Sequence, residues 1–250
     1  MPLLNIGFFQ KLAGKFQYDL VRQDSSFSAN ELEVLHRVEP YTMTGRSRLA
    51  GLTDSVRHVV ANQIHGDVVE CGVWRGGSMM AAALTLLELG DTTRDLYLFD
   101  TYEGMPQPTE ADVGYDGRKA QDVLDQTPRR EGPGIWSIAS LEDVQRNLAS
   151  TGYPQSKIHF IKGKVEDTVP QQAPGKIAIL RLDTDWYEST KHEMEHLYPR
   201  LAAQGILIID DYGHWQGSRR AIDEYFSKQA RRPFLSRLDY TGRLLVKPGA

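Results

Sequence analysis

One cysteine, no basic excess and no apolar run of bilayer-spanning length mark this 250-residue chain. Cys71 alone cannot close an intrachain disulfide or build a cysteine-based zinc site, so a reducing cytosol suits it best. With 29 Lys plus Arg against 33 Asp plus Glu, the formal net charge is −4. That balance lacks the basic stripe that nucleic acid or an anionic membrane surface requires. A membrane span needs roughly 20 consecutive apolar residues, and none occurs. The apolar start, Met1 to Phe9, has no basic n-region and too short a core for a signal peptide, so a soluble, cytoplasmic protein is expected. What is present is ordinary for a globular domain: 40% hydrophobic and 25% charged residues, with 22 Gly and 12 Pro spread along the chain.

Short β-rich runs alternate with longer helical patterns from residue 68 onward, the sign of βα units around a parallel sheet. Strands are expected at 68–73, 96–100, 158–161, 177–183 and 206–211, and helices at 78–89, 141–149, 187–203 and 218–230. Runs at 234–239 and 242–246 form a hairpin-like pair, giving a seven-stranded sheet. Before it, 29–37 and 46–63 read as helices of an N-terminal cap covering residues 1–60, followed by one α/β domain over 61–250. Residues 103–135 are rich in Gly, Pro and charge, as in a lid or a disordered loop.

Three strand ends could carry chemistry. The first run ends in Glu70-Cys71-Gly72-Val73-Trp74-Arg75-Gly76-Gly77-Ser78, where glycines and a helix N-terminus permit close approach to a ligand. Its spacing departs from the dinucleotide fingerprint, and a plain tight turn is the alternative. The second ends in Asp100, about 25 residues after the glycines, near where an acid grips ribose hydroxyls in such sheets. Together they point to a nucleoside ligand without a pyrophosphate, namely S-adenosylmethionine. The third feature is a pair of acidic ends, Asp183-Thr184-Asp185 and Asp210-Asp211. Helix capping would explain one acid per strand end. Two at each of two ends call for a cation between them, and an oxygen donor set suits Mg²⁺.

These motifs resemble the macrocin O-methyltransferase type of sugar O-methyltransferases, which includes the mycinamicin and aminocoumarin sugar methyltransferases. The resemblance runs from about Thr42 to Phe226. It rests on Thr42-Met43-Thr44-Gly45 with Arg48, the 69–77 glycine segment, and Phe99-Asp100-Thr101-Tyr102-Glu103-Gly104-Met105-Pro106. It continues in Gly163-Lys164-Val165-Glu166-Asp167, Leu182-Asp183-Thr184-Asp185-Trp186-Tyr187 and Asp210-Asp211-Tyr212-Gly213. It implies a Rossmann-like class I methyltransferase that transfers the methyl of S-adenosylmethionine to a sugar hydroxyl with Mg²⁺.

By position, the resemblance makes Asp183, Asp210 and Asp211 metal ligands and Asp185 the general base. His214, three residues past the Asp pair, reads from its spacing as a rival base, an acceptor contact or an exposed loop histidine without a role. It sets Met43, Glu70, Gly72, Trp74, Gly76, Ser78, Asp100, Val165, Glu166 and Asp183 around the cofactor. The implied acceptor is a glycosylated natural product, and a homo-oligomer is expected, with the apolar stretch 3–9 as one possible contact. A catechol-type methyltransferase is the rival enzyme. It is disfavoured because Trp186 and Tyr187 stand where that type carries a Lys. A non-catalytic cofactor-binding module is the rival outside enzymology. His192 and His196, one helical turn apart, lack a third ligand and read as surface residues; Cys71 reads as packing.

Overall fold

The computed structural model describes residues 27–230 and 232–249. The stretch 3–9, expected as a possible contact between copies, lies outside the described residues.

Among the described residues, two α-helices precede the sheet. Helix α1 (Ala29–Val38) starts at Ser28, whose hydroxyl accepts from the Glu31 amide while the Glu31 carboxylate accepts from the Ser28 amide. This reciprocal cap satisfies two amides that the helix cannot. Helix α2 (Arg46–Ala61) follows. Both bury apolar faces, Val34, Leu35 and Val38 from α1 and Leu49, Leu52, Val56 and Val59 from α2, in the same cluster as Val68 and residues 79–83.

The sheet then forms from β1 (Asp67–Cys71), β2 (Leu96–Asp100), β3 (Ile158–Lys162), β4 (Ile177–Leu182), β5 (Leu201–Ile209), β6 (Ser236–Arg237) and β7 (Arg243–Val246), in the order β3-β2-β1-β4-β5-β7-β6. The first five strands are parallel, and β7 runs antiparallel to β5 and β6. Helix α3 (Gly77–Glu88) covers one face with α1 and α2. Beyond it lie α4 (Ala120–Gln126), α5 (Leu141–Ala149) and the short α6 (Val165–Thr168). Helices α7 (Tyr187–His196) and α8 (Gln216–Ser227) complete the helical layers among the described residues.

Strand side chains alternate between two apolar layers. Val68, Leu98, Ile179 and Ile208 enter the α1–α3 layer, and Val69, Phe99, Leu180 and Ile209 enter the layer that holds Met194 of α7 and Ile222 of α8. Strand order reverses between β1 and β4, which opens a crevice at their carboxyl ends. Every acidic strand end found in the sequence meets that crevice.

Three expectations change. The helix expected over 187–203 stops at His196, because Pro199 cannot continue it and a 3₁₀ turn, Tyr198–Arg200, intervenes. Strand β5 consequently starts at Leu201, earlier than expected, and its register with β4 shifts between Ile177 and Ile179. The 234–239 run shrinks to the two residues of β6, since Asp239 turns the chain by accepting from the amides of Thr241 and Gly242.

The 103–135 insertion is folded. Its helix α4 places Ala120 and Leu124 against Trp186 and Trp215, which meet edge to face at 4.9 Å. No helix among the described residues is long and apolar enough to cross a membrane.

Candidate active site

A cavity of about 470 Å³ runs along the carboxyl edge of the sheet. It passes from Asp100 and the Lys164–Glu166 segment, across Gly72 and Asp183–Asp185, to Asp210, Asp211 and the β6–β7 turn. Of the residues singled out in the sequence, Met43, Gly72, Trp74, Ser78, Asp100, Val165 and Glu166 line it, as do Asp183, Asp185, Asp210, Asp211 and His214. Glu70 and Gly76 do not.

At the β1 end, backbone geometry builds the site. Gly72 has φ +82, and a Cβ there would lie 1.9 Å from the Asp183 carbonyl oxygen. Only glycine allows β1 and β4 to converge so closely. Gly76, with φ +86, is needed for a different contact, because its Cβ would strike Leu148 of α5. Asp100 then locks the turn: its carboxylate accepts from the amides of Val73 (2.6 Å), Trp74 (3.1 Å) and Tyr102 (2.7 Å). Burial nevertheless pushes its pKa up. The turn is therefore both a packing device and a ligand-facing wall. Trp74 is held at φ +46 with its indole N–H buried and unpartnered within the protein.

Side-chain charge builds the opposite end. Oxygens of Asp183, Asp210 and Asp211 lie within 4.8 Å of one another, the one such acidic, His or Cys triple among the described residues. The amide of Asp185, itself at φ +64, donates to Asp211 at 3.2 Å. Burial, reinforced by neighbouring carboxylates, raises Asp185 to about 7 and Asp210 to about 6, and pushes Asp211 well above the usual range.

Two cations already stand in this acidic end. Arg181 is opposite Glu70 in the β1–β4 register, so both side chains leave the same sheet face. Its guanidinium donates to Glu70 and Asp183, both at 2.7 Å, to Asp210 at 2.5 Å and to the Thr44 hydroxyl at 2.9 Å. Arg48 of α2 reaches the other oxygen of Asp210 and also Asp239. Glu70 is thus an internal partner of Arg181. Burial outweighs that pairing and raises its pKa to about 8, and one of its oxygens has no partner.

Glu193 of α7 is a further buried acid that sequence reading missed. It accepts from the Thr184 hydroxyl at 3.0 Å, beneath the Asp183–Asp185 turn, and burial raises its pKa strongly. Cys71 is fully buried and its thiol pKa is raised, which leaves it inert. His192 and His196 pair ring to ring at 4.4 Å, with His192 on the Val169 carbonyl.

A seven-stranded, mostly parallel sheet with a glycine turn after β1 and acids at β2, β4 and β5 defines a Rossmann-like S-adenosylmethionine-dependent O-methyltransferase. Residues 19–247 match the macrocin O-methyltransferase (TylF) family, and the chain belongs to it. It is 37% identical over 203 residues to a tetracenomycin-C rhamnosyl 4′-O-methyltransferase of Streptomyces olivaceus, covering 81% of this chain and 74% of that one. It is 34% identical to the demethyldecarbamoylnovobiocin O-methyltransferase of Streptomyces niveus, covering 75% and 68%. Among solved structures, the O-methyltransferase NovP superposes with a TM-score of 0.74 at 26% identity, over 97% of this chain and 99% of NovP. The calicheamicin methyltransferase CalS11, at 18% identity and a TM-score of 0.63 over 92% and 97%, shares the fold.

Proposed function

We propose that the chain methylates a sugar hydroxyl of a glycosylated natural product, with a Mg²⁺ ion at Asp183, Asp210 and Asp211. The carrying observation is the convergence of those three carboxylates in the cavity that Gly72 and Asp100 also line. The Streptomyces olivaceus and Streptomyces niveus relatives act on glycosylated natural products, which supports the acceptor class.

The residues fit a hard dication. The donors are all carboxylate oxygens, and burial together with the neighbouring carboxylates raises the pKa of Asp210 and Asp211 even with Arg48 and Arg181 beside them, a setting that an added dication would relieve. A Mg²⁺ there supplies Lewis acidity toward vicinal hydroxyls, whose own pKa lies far above 7.

The chain's own residues do the rest. Gly72, Val73 and Trp74 wall the cofactor side, with Met43, Ser78, Asp100, Val165 and Glu166 around it. Asp185, adjacent to the acidic triple and held near neutrality, takes the acceptor proton as the methyl leaves the sulfonium for the hydroxyl oxygen. S-adenosylhomocysteine and a methyl ether result. His214 is the alternative base: burial lowers its pKa and keeps the imidazole neutral. The 103–135 insertion acts as a lid that excludes water. A cap of residues 1–60 on a catalytic domain of 61–250, a cytoplasmic location and a homo-oligomeric state belong to the same reading.

Asp183→Asn and Asp210→Asn variants test it. Each should lose methyl transfer at least 100-fold while S-adenosylhomocysteine affinity stays within about threefold. Full activity of either variant in excess EDTA contradicts the metal role.

A further inference from the structure

Beyond the acidic end, the cavity opens onto three aromatic rings contributed by three separate segments. Tyr115 comes from the insertion, His214 from the β5–α8 loop and Tyr240 from the β6–β7 turn. Ring centroids lie 5.3 Å apart for Tyr115 and His214, 6.2 Å for Tyr115 and Tyr240, and 6.1 Å for His214 and Tyr240. The Tyr115 amide donates to the His214 carbonyl at 2.8 Å, and the His214 ring meets the Tyr240 hydroxyl at 3.1 Å. These bonds fix the segments relative to one another, yet Tyr115 and Tyr240 remain 65% and 62% exposed. His214 and Tyr240 line the cavity, as do Gly114 and Asp116 on either side of Tyr115, whose ring borders it through its contacts with His214 and Tyr240. His214 also follows Asp211 closely, its amide donating to the Asp211 carbonyl at 3.0 Å.

Charge around this mouth narrows what can rest there. The cations lining this side are Arg118 and Arg48, and both are already paired. Arg118 holds Asp116 at 2.6 Å, and Arg48 holds Asp210 and Asp239. Lys164 lines the other end, beside Val165 and Glu166. Among the described residues, the mouth therefore offers aromatic faces beside cations that each already face a carboxylate. A flat, uncharged ring system gains from stacking on such faces, whereas a dianion would meet the acidic centre behind them.

We propose that Tyr115 and Tyr240, with His214 between them, form a shelf that holds the uncharged, flat aglycone of the acceptor while its sugar reaches the acidic centre. This rests on the glycoside reading above and assigns the aglycone side of that substrate. It also sets the order of reactions. The glycosyl transfer that joins sugar to aglycone comes first, and a nucleotide-activated sugar is a poor acceptor here.

The test is calorimetry on the full chain loaded with S-adenosylhomocysteine and Mg²⁺, using naphthyl α-L-rhamnoside, methyl α-L-rhamnoside and dTDP-L-rhamnose. The naphthyl glycoside should bind about tenfold or more tightly than the methyl glycoside. Replacing both tyrosines (Tyr115→Ala with Tyr240→Ala) should reduce that ratio below about threefold, and Tyr115→Phe with Tyr240→Phe should retain it. The dTDP-sugar should bind no better than the methyl glycoside. An unchanged ratio in the double alanine variant overturns the shelf, as does tightest binding of the dTDP-sugar. A dimer that dissociates in that variant with the ratio unchanged overturns it too, and assigns the rings to contact between copies. S-adenosylhomocysteine affinity within twofold of wild type shows that the variant is folded. Equal binding of naphthyl and methyl glycosides removes the shelf alone, whereas binding of none of the three removes the glycoside reading with it.

Discussion

The two ends of the cleft are held by opposite means. At the β1 end the chain itself makes the wall: Gly72 lets backbone touch backbone, and Asp100 is saturated by three main-chain amides. At the β4–β5 end, charged side chains face one another, with Arg181 distributing one positive charge over Glu70, Asp183 and Asp210. The first arrangement is rigid without a ligand. The second balances only in part, and it gains from whatever adds positive charge. The difference suits the tasks proposed for each end: a preformed seat for a cofactor, and a centre whose charge state changes on binding.

Perturbing each end separately shows whether this contrast holds. The largest effect is expected for Gly72→Ala, which drives a Cβ into the Asp183 carbonyl at a left-handed φ. A loss above about 4 kcal/mol in denaturant unfolding is expected, unchanged by Mg²⁺. Next is Arg181→Met, which leaves buried carboxylates without their shared partner. It should cost about 3 kcal/mol, and saturating Mg²⁺ should recover part of that loss because the dication restores positive charge. If Mg²⁺ rescues neither variant, or both, the two ends are not held differently.

Smallest per step of the perturbation is a pH dependence at Glu193. Its pKa is raised in the folded protein by burial, above 4.5 in the unfolded chain. Above that value the unfolded state releases a proton that the folded state keeps, so stability falls as pH rises. Glu193→Gln, which mimics the protonated acid, should flatten this fall between pH 5 and 8 in thermal melts, by at most about 1.4 kcal/mol per pH unit. Equal slopes for the two proteins would place an ionised carboxylate at Glu193.

Much of this was legible before the structure. Apolar runs ending in Asp100, Asp183 and Asp210 marked parallel strands, and carboxyl ends of such strands gather at one edge. Arg181 was not singled out in the sequence. A charge inside the run Ile-Ala-Ile-Leu-Arg-Leu is conspicuous, but its meaning depends on the β1–β4 register that sets it opposite Glu70. Glu193 looked like one more acid of a charged helix, since the phase at which α7 meets the sheet is a tertiary property. Pro199 was a readable stop signal that the helical periodicity around it obscured. The order of the insertion could not be read locally, because Trp186 and Trp215, which pack with it, lie far along the chain.

The most direct test of the account is methyl transfer itself. The chain is incubated with labelled S-adenosylmethionine and a set of deoxysugar glycosides, with Mg²⁺ or with excess EDTA, and products are read by mass. The account predicts a methyl ether on the sugar of at least one glycoside, formed with Mg²⁺ and lost in EDTA. Transfer that proceeds equally in EDTA would contradict it.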